Sequence, residues 1–256
     1  MSHTDQLSAA SARAARLANP SLKFPWKTLG IPVGMALITL GIYRWYQHNY
    51  AFTTGLDYFS PEFQTYWMPL FWTQIIAIPL VGLVGVTYLW FTRESDADPI
   101  SPQTELARYQ ATLGATALGS LIILAAVGIW VESDAAWHQV TIRDTDFTPT
   151  HIGLFYFGIP AAACAMTMGF VWVHTRLPDF RHRISIPLAL VVAAPILIMP
   201  NLGFNEWGHT FFYAEELFAA PIHWGFVVLG WGFFGLTGFT VQCLAKMATL
   251  TRLQSD

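Results

Sequence analysis

The stretch QATLGATALGSLIILAAVGIWV (110–131) contains no charged residue. About 20 apolar residues are enough for a helix to cross a bilayer, so this segment predicts a membrane span. The composition of the whole chain agrees: 54% of its 256 residues are hydrophobic and only 11% are charged, with a mean hydropathy of +0.43. Soluble domains carry about 25% charged residues. The sequence therefore predicts an integral membrane protein.

Further apolar segments flank this one on both sides. Together they lie at 29–47, 66–92, 110–131, 149–175, 184–200 and 218–245. The segment at 184–200 is short and contains three prolines. We predict an all-α, polytopic membrane bundle of about six transmembrane helices over 29–245. Residues 1–28 are predicted to form a cytoplasmic segment with a short interfacial helix, and residues 246–256 a cytoplasmic tail.

The basic residues are distributed unequally between the two sides of a six-span bundle. Eleven of the thirteen fall on one side, and only Arg44 and Arg143 fall on the other. Because basic residues concentrate in cytoplasmic connections, both termini are predicted to be cytoplasmic. The acidic connections then face outwards, to the periplasm of a bacterium. The sequence contains no basic patch that predicts binding to nucleic acid.

The apolar stretch 110–131 is followed by a polar one, ESDAAWHQVTIRDTDFTPTH (132–151). Asp134 and His138 are four residues apart and share a helix face. Thr148-Pro149 is a helix-start signal, which places His151 in the first turn of the next span. One carboxylate and two imidazoles from adjacent helix ends favour a three-ligand metal site. The alternative is that Asp134 pairs with Arg143 while the histidines only cap helix ends.

A second polar stretch, NEWGHTFFYAEELFAAPIH (205–223), repeats this arrangement. Asn205 and His209 are again four residues apart, and His223 lies near the start of the last span. The carboxylates of Glu206 and Glu216 are candidates to orient the imidazoles from outside the ligand set. The alternative is a re-entrant turn whose polar groups satisfy one another.

A third stretch, 43–67, is rich in aromatic residues. Aromatic side chains concentrate where a membrane meets water. We interpret the stretch as an interface belt, with a surface for substrate or quinol as the alternative.

Four strings resemble the C subunit of the copper membrane monooxygenases, the family of particulate methane, ammonia and hydrocarbon monooxygenases. They are GLDYFSPEFQTYWM (55–68), WHQVTIRDTDFTPTHI (137–152), TRLPDF (175–180) and ILIMPNLGFNEWGHTFFYAEELFAAPIHWGFVVLGW (196–231). The resemblance covers about residues 40–240.

The resemblance implies a copper-dependent enzyme that inserts one atom of O2 into a small substrate. It implies a first copper ion, at the catalytic site, on Asp134, His138 and His151, and a second on Asn205, His209 and His223. It also implies the A and B subunits as partners in a trimer of heterotrimers, quinol as reductant, and a location in the bacterial inner or intracytoplasmic membrane.

The substrate is predicted from a departure from the family pattern. The methane and ammonia enzymes usually carry a string like TEQD where this chain has VESD (131–134). This difference speaks against a standard methane or ammonia enzyme and favours a monooxygenase of short alkanes or alkenes. Methane stays within the hydrocarbon prediction, and the C subunit of an ammonia monooxygenase is the alternative. A haem subunit or a copper transporter is an alternative of another class. The first two spans are almost free of polar groups, which speaks against transport.

Overall fold

Helices make up nearly all of the described part of the chain. The computed structural model describes residues 25–95, 100–143, 145–194 and 219–255. The elements in chain order are α1 Trp26–Tyr50, α2 Pro61–Tyr66, α3 Met68–Phe91, α4 Pro102–His138, α5 Pro149–Gly153, a π-helical turn Leu154–Gly158, α6 Ile159–Arg176, a 3-10 turn Pro178–Phe180, α7 at 186–194, and α8 Ala219–Ser255.

Five segments within these ranges are long and apolar enough to cross a membrane: Trp26–Tyr50, Pro61–Phe91, Pro102–His138, Pro149–Arg176 and Gly230–Arg252. The predicted all-α membrane bundle is thereby confirmed. The segment predicted at 184–200 is helical over 186–194, and its remaining residues from 195 onwards lie outside the described ones. The cytoplasmic position of the termini stays a prediction.

Three helices begin with the same local device, a hydroxyl residue followed by proline. The side chains of Ser60, Ser101 and Thr148 accept hydrogen bonds from backbone amides three residues later, at 3.1, 3.2 and 2.9 Å. The proline that follows has no amide hydrogen to leave unpaired in the first turn. These caps fix where α2, α4 and α5 begin, and α5 is the helix that carries His151.

The helices pack as two neighbouring pairs, α3 along α6 and α4 along α8. Gly82 and Gly85 of α3 face the sulfur atoms of Cys164 and Met168 on α6, which leave no room for a Cβ. Close approach at glycine is typical of helices that associate in a bilayer. The cysteines Cys164 and Cys243 form no disulfide.

Much of the aromatic stretch 43–67 lies in the protein core. Tyr43, Phe63 and Trp67 are buried, while Trp45 and Phe59 are exposed. Phe63 and Trp67 pack with the indole of Trp137, one residue before His138. The interface belt therefore accounts only for the exposed members, whereas buried members such as Phe63 and Trp67 pack at the end of the bundle that carries His138.

Ion pairs join the elements at the opposite end of the bundle. Glu94, just after α3, pairs with Arg108 of α4 at 2.5 Å and with Arg181 at 2.7 Å. The hydrogen bond from Arg108 lowers the pKa of the Glu94 carboxyl from its usual value. Lys246 of α8 pairs with Asp179 at 2.9 Å. These contacts hold α4, α6 and α8 in register below the site.

Candidate metal centre

Asp134, His138 and His151 come together as a cluster. Each offers one ligand atom, and these atoms all lie within 4.8 Å of one another. Asp134 Oδ1 is 3.4 Å from His138 Nδ1 and 3.4 Å from His151 Nε2. The spacing of four residues places Asp134 and His138 on one face of the last turns of α4, as the sequence predicted. His151 approaches from the first turn of α5.

The imidazole of His138 has one nitrogen occupied within its own helix. Its Nδ1 is 2.8 Å from the backbone carbonyl oxygen of Asp134. A carbonyl oxygen only accepts, so this contact assigns the hydrogen to Nδ1 and leaves the lone pair on Nε2. The contact therefore orients the ring and selects the nitrogen that is able to bind a metal.

Thr150 is a part of the cluster that the sequence reasoning missed. Its hydroxyl is fully buried and donates a hydrogen bond to Asp134 Oδ1. A carboxylate that accepts such a bond is held in one orientation and stabilised as an anion. The only signal in the sequence was the adjacency of Thr150 to His151.

Arg143 does not pair with Asp134, so that part of the alternative is wrong. Its guanidinium instead binds the carboxylate of Asp57. The bond from Arg143 lowers the pKa of the Asp57 carboxyl below its ordinary value of 3.8. Backbone bonds accompany the pair, with Tyr58 N to Arg143 O at 3.0 Å and Ile142 N to Leu56 O at 2.8 Å. The Asp57–Arg143 ion pair and these backbone bonds, together called the clasp below, join the two loops beside the cluster.

The cluster is enclosed on one side and open on the other. The His151 ring is only 3% exposed, whereas the side chains of Asp134 and His138 are 25% and 38% exposed. Trp137 packs edge-on against His138, and Phe155 packs against His151 at 4.8 Å. Reactive metal sites combine such a partly closed ligand set with an open position.

Arg44 links α1 to the ligand-bearing end of α4. Its guanidinium donates to the hydroxyl of Ser133, next to Asp134. Ser133 is buried and also donates to the backbone of Ile129. Ser133 belongs to the VESD string. Arg44 therefore holds one of the residues at which this chain differs from the TEQD-like string.

The second predicted set is not described at the level of its side chains. Asn205, Glu206, His209 and Glu216 lie outside the described residues. His223 lies in α8, but its side chain is also outside what is described. Their roles therefore stay predictions.

A comparison with protein families identifies the chain. The family model for the C subunit of ammonia monooxygenase/methane monooxygenase matches residues 8–254. The chain belongs to this family. A search of curated proteins found no match.

Membership in the C-subunit family confirms the resemblance inferred from the four strings. The chain is part of a membrane monooxygenase complex of several subunits, and therefore part of an oxidoreductase. It is a multi-pass membrane protein, as its spans also indicate. The Asp–His–His cluster lies at one end of those spans.

Proposed function

We propose that this C subunit holds copper at Asp134, His138 and His151, and that its complex inserts one oxygen atom of O2 into a short hydrocarbon. The observation that carries the proposal is the convergence of one carboxylate and two imidazoles within 4.8 Å. These groups come from the end of α4 and the start of α5, which lie beside one another. Polar groups are expensive near a bilayer, so their convergence favours a functional site.

The donor set fits copper. Imidazole nitrogen and carboxylate oxygen both bind divalent first-row metals, and at a given site the affinity is highest for copper. With Nδ1 donating to the Asp134 carbonyl, the neutral His138 ring keeps the lone pair on Nε2 for a metal. Copper bound there would supply the redox chemistry that activates O2, the other oxygen atom being reduced to water with electrons from the reductant.

The residues of the chain prepare the site for that chemistry. The Asp134 carboxylate offsets positive charge where water is scarce, and such a charge interaction is stronger there than in water. The hydroxyl of Thr150 orients this carboxylate towards both imidazoles. Phe155 and Trp137 cover the rings and limit the access of water. An apolar substrate that concentrates in the bilayer reaches the open side of the cluster without a soluble tunnel.

A short alkane or alkene, methane included, is the proposed substrate, and ammonia is the second candidate. The VESD string at 131–134 departs from the TEQD-like string of the methane and ammonia enzymes, which speaks against a standard member of either kind and supports a short alkane or alkene. The test supplies the intact complex with a C2–C4 alkane, with methane or with ammonia, and measures the hydroxylated product. Oxidation of ammonia alone would overturn the hydrocarbon assignment.

The remaining parts of the proposal concern the surroundings of the site. The A and B subunits complete a trimer of heterotrimers, and quinol donates the electrons. The metal centre faces the periplasm of the inner or intracytoplasmic membrane. Asn205, His209 and His223 hold a second copper ion, with Glu206 and Glu216 orienting its ligands. Purification of the complex, with its subunits identified and its copper counted, tests the assembly.

The decisive experiment replaces ligands in the assembled complex. We expect His138→Ala and Asp134→Ala to lose the copper of this site and the turnover, because a three-ligand site has no spare donor. Even removal of a supporting partner typically costs about 10–100-fold in affinity or activity. His48→Ala is the matched control, since His48 is exposed on α1 outside the cluster.

Three outcomes separate the alternatives. An assembled His138→Ala complex with unchanged copper and turnover would remove the metal from this cluster. A Soret band in the optical spectrum of the wild-type complex would instead indicate a haem subunit. Metal uptake into vesicles without oxygenated product would indicate a transporter.

A further inference from the structure

Two buried glutamines lie in spans that supply none of the predicted metal ligands. Gln47 of α1 is 1% exposed and Gln74 of α3 is 5% exposed. An amide buried in an apolar span is costly unless all its hydrogen-bonding groups are paired. The sequence therefore places two expensive side chains where leucine would pack without that cost.

Both amides bind the backbone on either side of His151. Gln47 Nε2 donates to the carbonyl oxygen of Pro149 at 3.2 Å. Gln74 Nε2 donates to the carbonyl oxygen of Ile152 at 2.7 Å. The short helix that presents the His151 ring is thus fastened two residues before the ligand and one residue after it.

The orientation of each amide is itself fixed by a second donor. Trp130 Nε1 donates to Gln47 Oε1 at 2.7 Å, and the hydroxyl of Tyr43 donates to Gln74 Oε1 at 3.3 Å. With the oxygen engaged in this way, the NH2 group of each glutamine faces the backbone of α5. Neither amide is able to rotate without breaking two hydrogen bonds.

Gln47 also joins the two helices that carry the ligands. Trp130, Asp134 and His138 follow one another at intervals of four residues and lie on one face of α4. The path from Trp130 through Gln47 to Pro149 therefore runs from one turn below Asp134 to the start of α5. Gly153 completes the contact, because a Cβ there would lie 2.5 Å from Gln47 Nε2.

The segment that follows His151 needs this support because it is not a regular helix. Pro160 has no amide hydrogen, and its ring would clash with the carbonyl of the residue four positions earlier. The chain widens into the π-helical turn Leu154–Gly158, and the amide of Ile159 bonds to Leu154 O, five residues back. Such single π turns occur frequently at functional sites.

We infer that Gln47 and Gln74 are positioning residues, whose amides hold the α5 backbone so that His151 meets Asp134 and His138 in one fixed arrangement. This inference rests on the proposed copper site. It assigns to α1 and α3 a role in the geometry of a centre to which they contribute no ligand.

The test uses the assembled complex and reads the metal directly. We expect Gln47→Met and Gln74→Met to alter the copper(II) EPR signal that His138→Ala removes, and to lower the copper affinity of that site roughly tenfold, by analogy with losses at supporting partners. Gln242→Met is the matched control. Gln242 accepts a hydrogen bond from Ser185 at 2.8 Å, at the opposite end of the bundle.

Two milder variants cover the case in which the methionine variants do not assemble. Tyr43→Phe and Trp130→Phe keep both glutamines but release their amide oxygens. We expect each to shift the same EPR signal, by less than the methionine variants would. An assembled set of these variants with wild-type spectrum and affinity overturns the inference. Absence of any signal that His138→Ala removes overturns the proposed site instead.

Discussion

Gly153→Ala is the smallest change that tests how tightly the backbone beside His151 is held. The added Cβ would lie 2.5 Å from Gln47 Nε2, with Tyr43 Cε1 at 3.1 Å and Trp130 Nε1 at 3.2 Å on its other sides. Ordinary contacts begin at 3.4 Å, so the amide nitrogen has to move by about 0.9 Å. Its bond to Pro149 O is already 3.2 Å long, at the limit of the usual range of about 2.7–3.2 Å, and it would break.

The expected cost follows from these two effects. Overpacking a filled core costs about 1–3 kcal/mol, and a buried polar group left unpaired, here the Gln47 NH2, costs about 1–3 kcal/mol. The helix propensity of alanine returns at most about 1 kcal/mol. We therefore expect a net destabilisation of about 1–6 kcal/mol, by combining these ranges.

Gly119→Ala is the matched control for this prediction. A Cβ at Gly119 meets nothing within 4 Å in this chain, so only the gain in helix propensity applies. The assay compares the temperatures at which the two assembled complexes lose their copper and unfold. Gly153→Ala should be the less stable variant and should also change the EPR spectrum. Equal stability with an unchanged spectrum would refute the packing described around Gly153.

Two further predictions concern the clasp and the second ligand set. Arg143 lowers the pKa of the Asp57 carboxyl in the folded protein below its ordinary value of 3.8. The clasp therefore stabilises the fold fully at a pH above 3.8, and this stabilisation is lost as the pH falls through the lower pKa of the folded state. Hydrogen exchange at the Tyr58 amide should therefore accelerate in acid relative to its intrinsic rate, and Asp57→Asn should abolish this pH dependence; equal pH dependence in both proteins would exclude the clasp. Asn205→Ala and His209→Ala should lower the copper count and the activity while sparing the EPR signal of the first site, whereas full copper and full activity in both variants would place the second site elsewhere.

The clustering of Asp134, His138 and His151 could be predicted from the sequence because short-range rules largely determine it. The interval of four residues sets the shared face of Asp134 and His138 on any helix. Thr148-Pro149 sets the start of α5, and the structure shows the predicted cap, from His151 N to Thr148 Oγ1. Only the contact between the end of α4 and the start of α5 depends on tertiary structure. The connection between them is short, so this contact is expected.

The support of the site could not be predicted in the same way. The first two spans are almost free of polar groups in sequence, but the two glutamines that they contain, Gln47 and Gln74, bind the α5 backbone. A lone glutamine in an apolar segment has no pattern that specifies its partner. In each case the partner is a backbone carbonyl about 80 to 100 residues away. Every residue has such a carbonyl, so the sequence does not indicate which one accepts the bond.

The pairing of Arg143 failed as a prediction for a related reason. Asp134 was the nearer carboxylate of the candidate metal set, but Arg143 pairs with Asp57, 86 residues away. The isolated backbone bridge between Asp57 and Arg143 aligns the two loops, so the long-range pairing of their backbones brings the charges together. Asp134 consequently keeps its carboxylate for Thr150 and the two imidazoles. A guanidinium at Asp134 would neutralise the charge that the proposed metal site needs, and the pairing with Asp57 keeps Arg143 away from it.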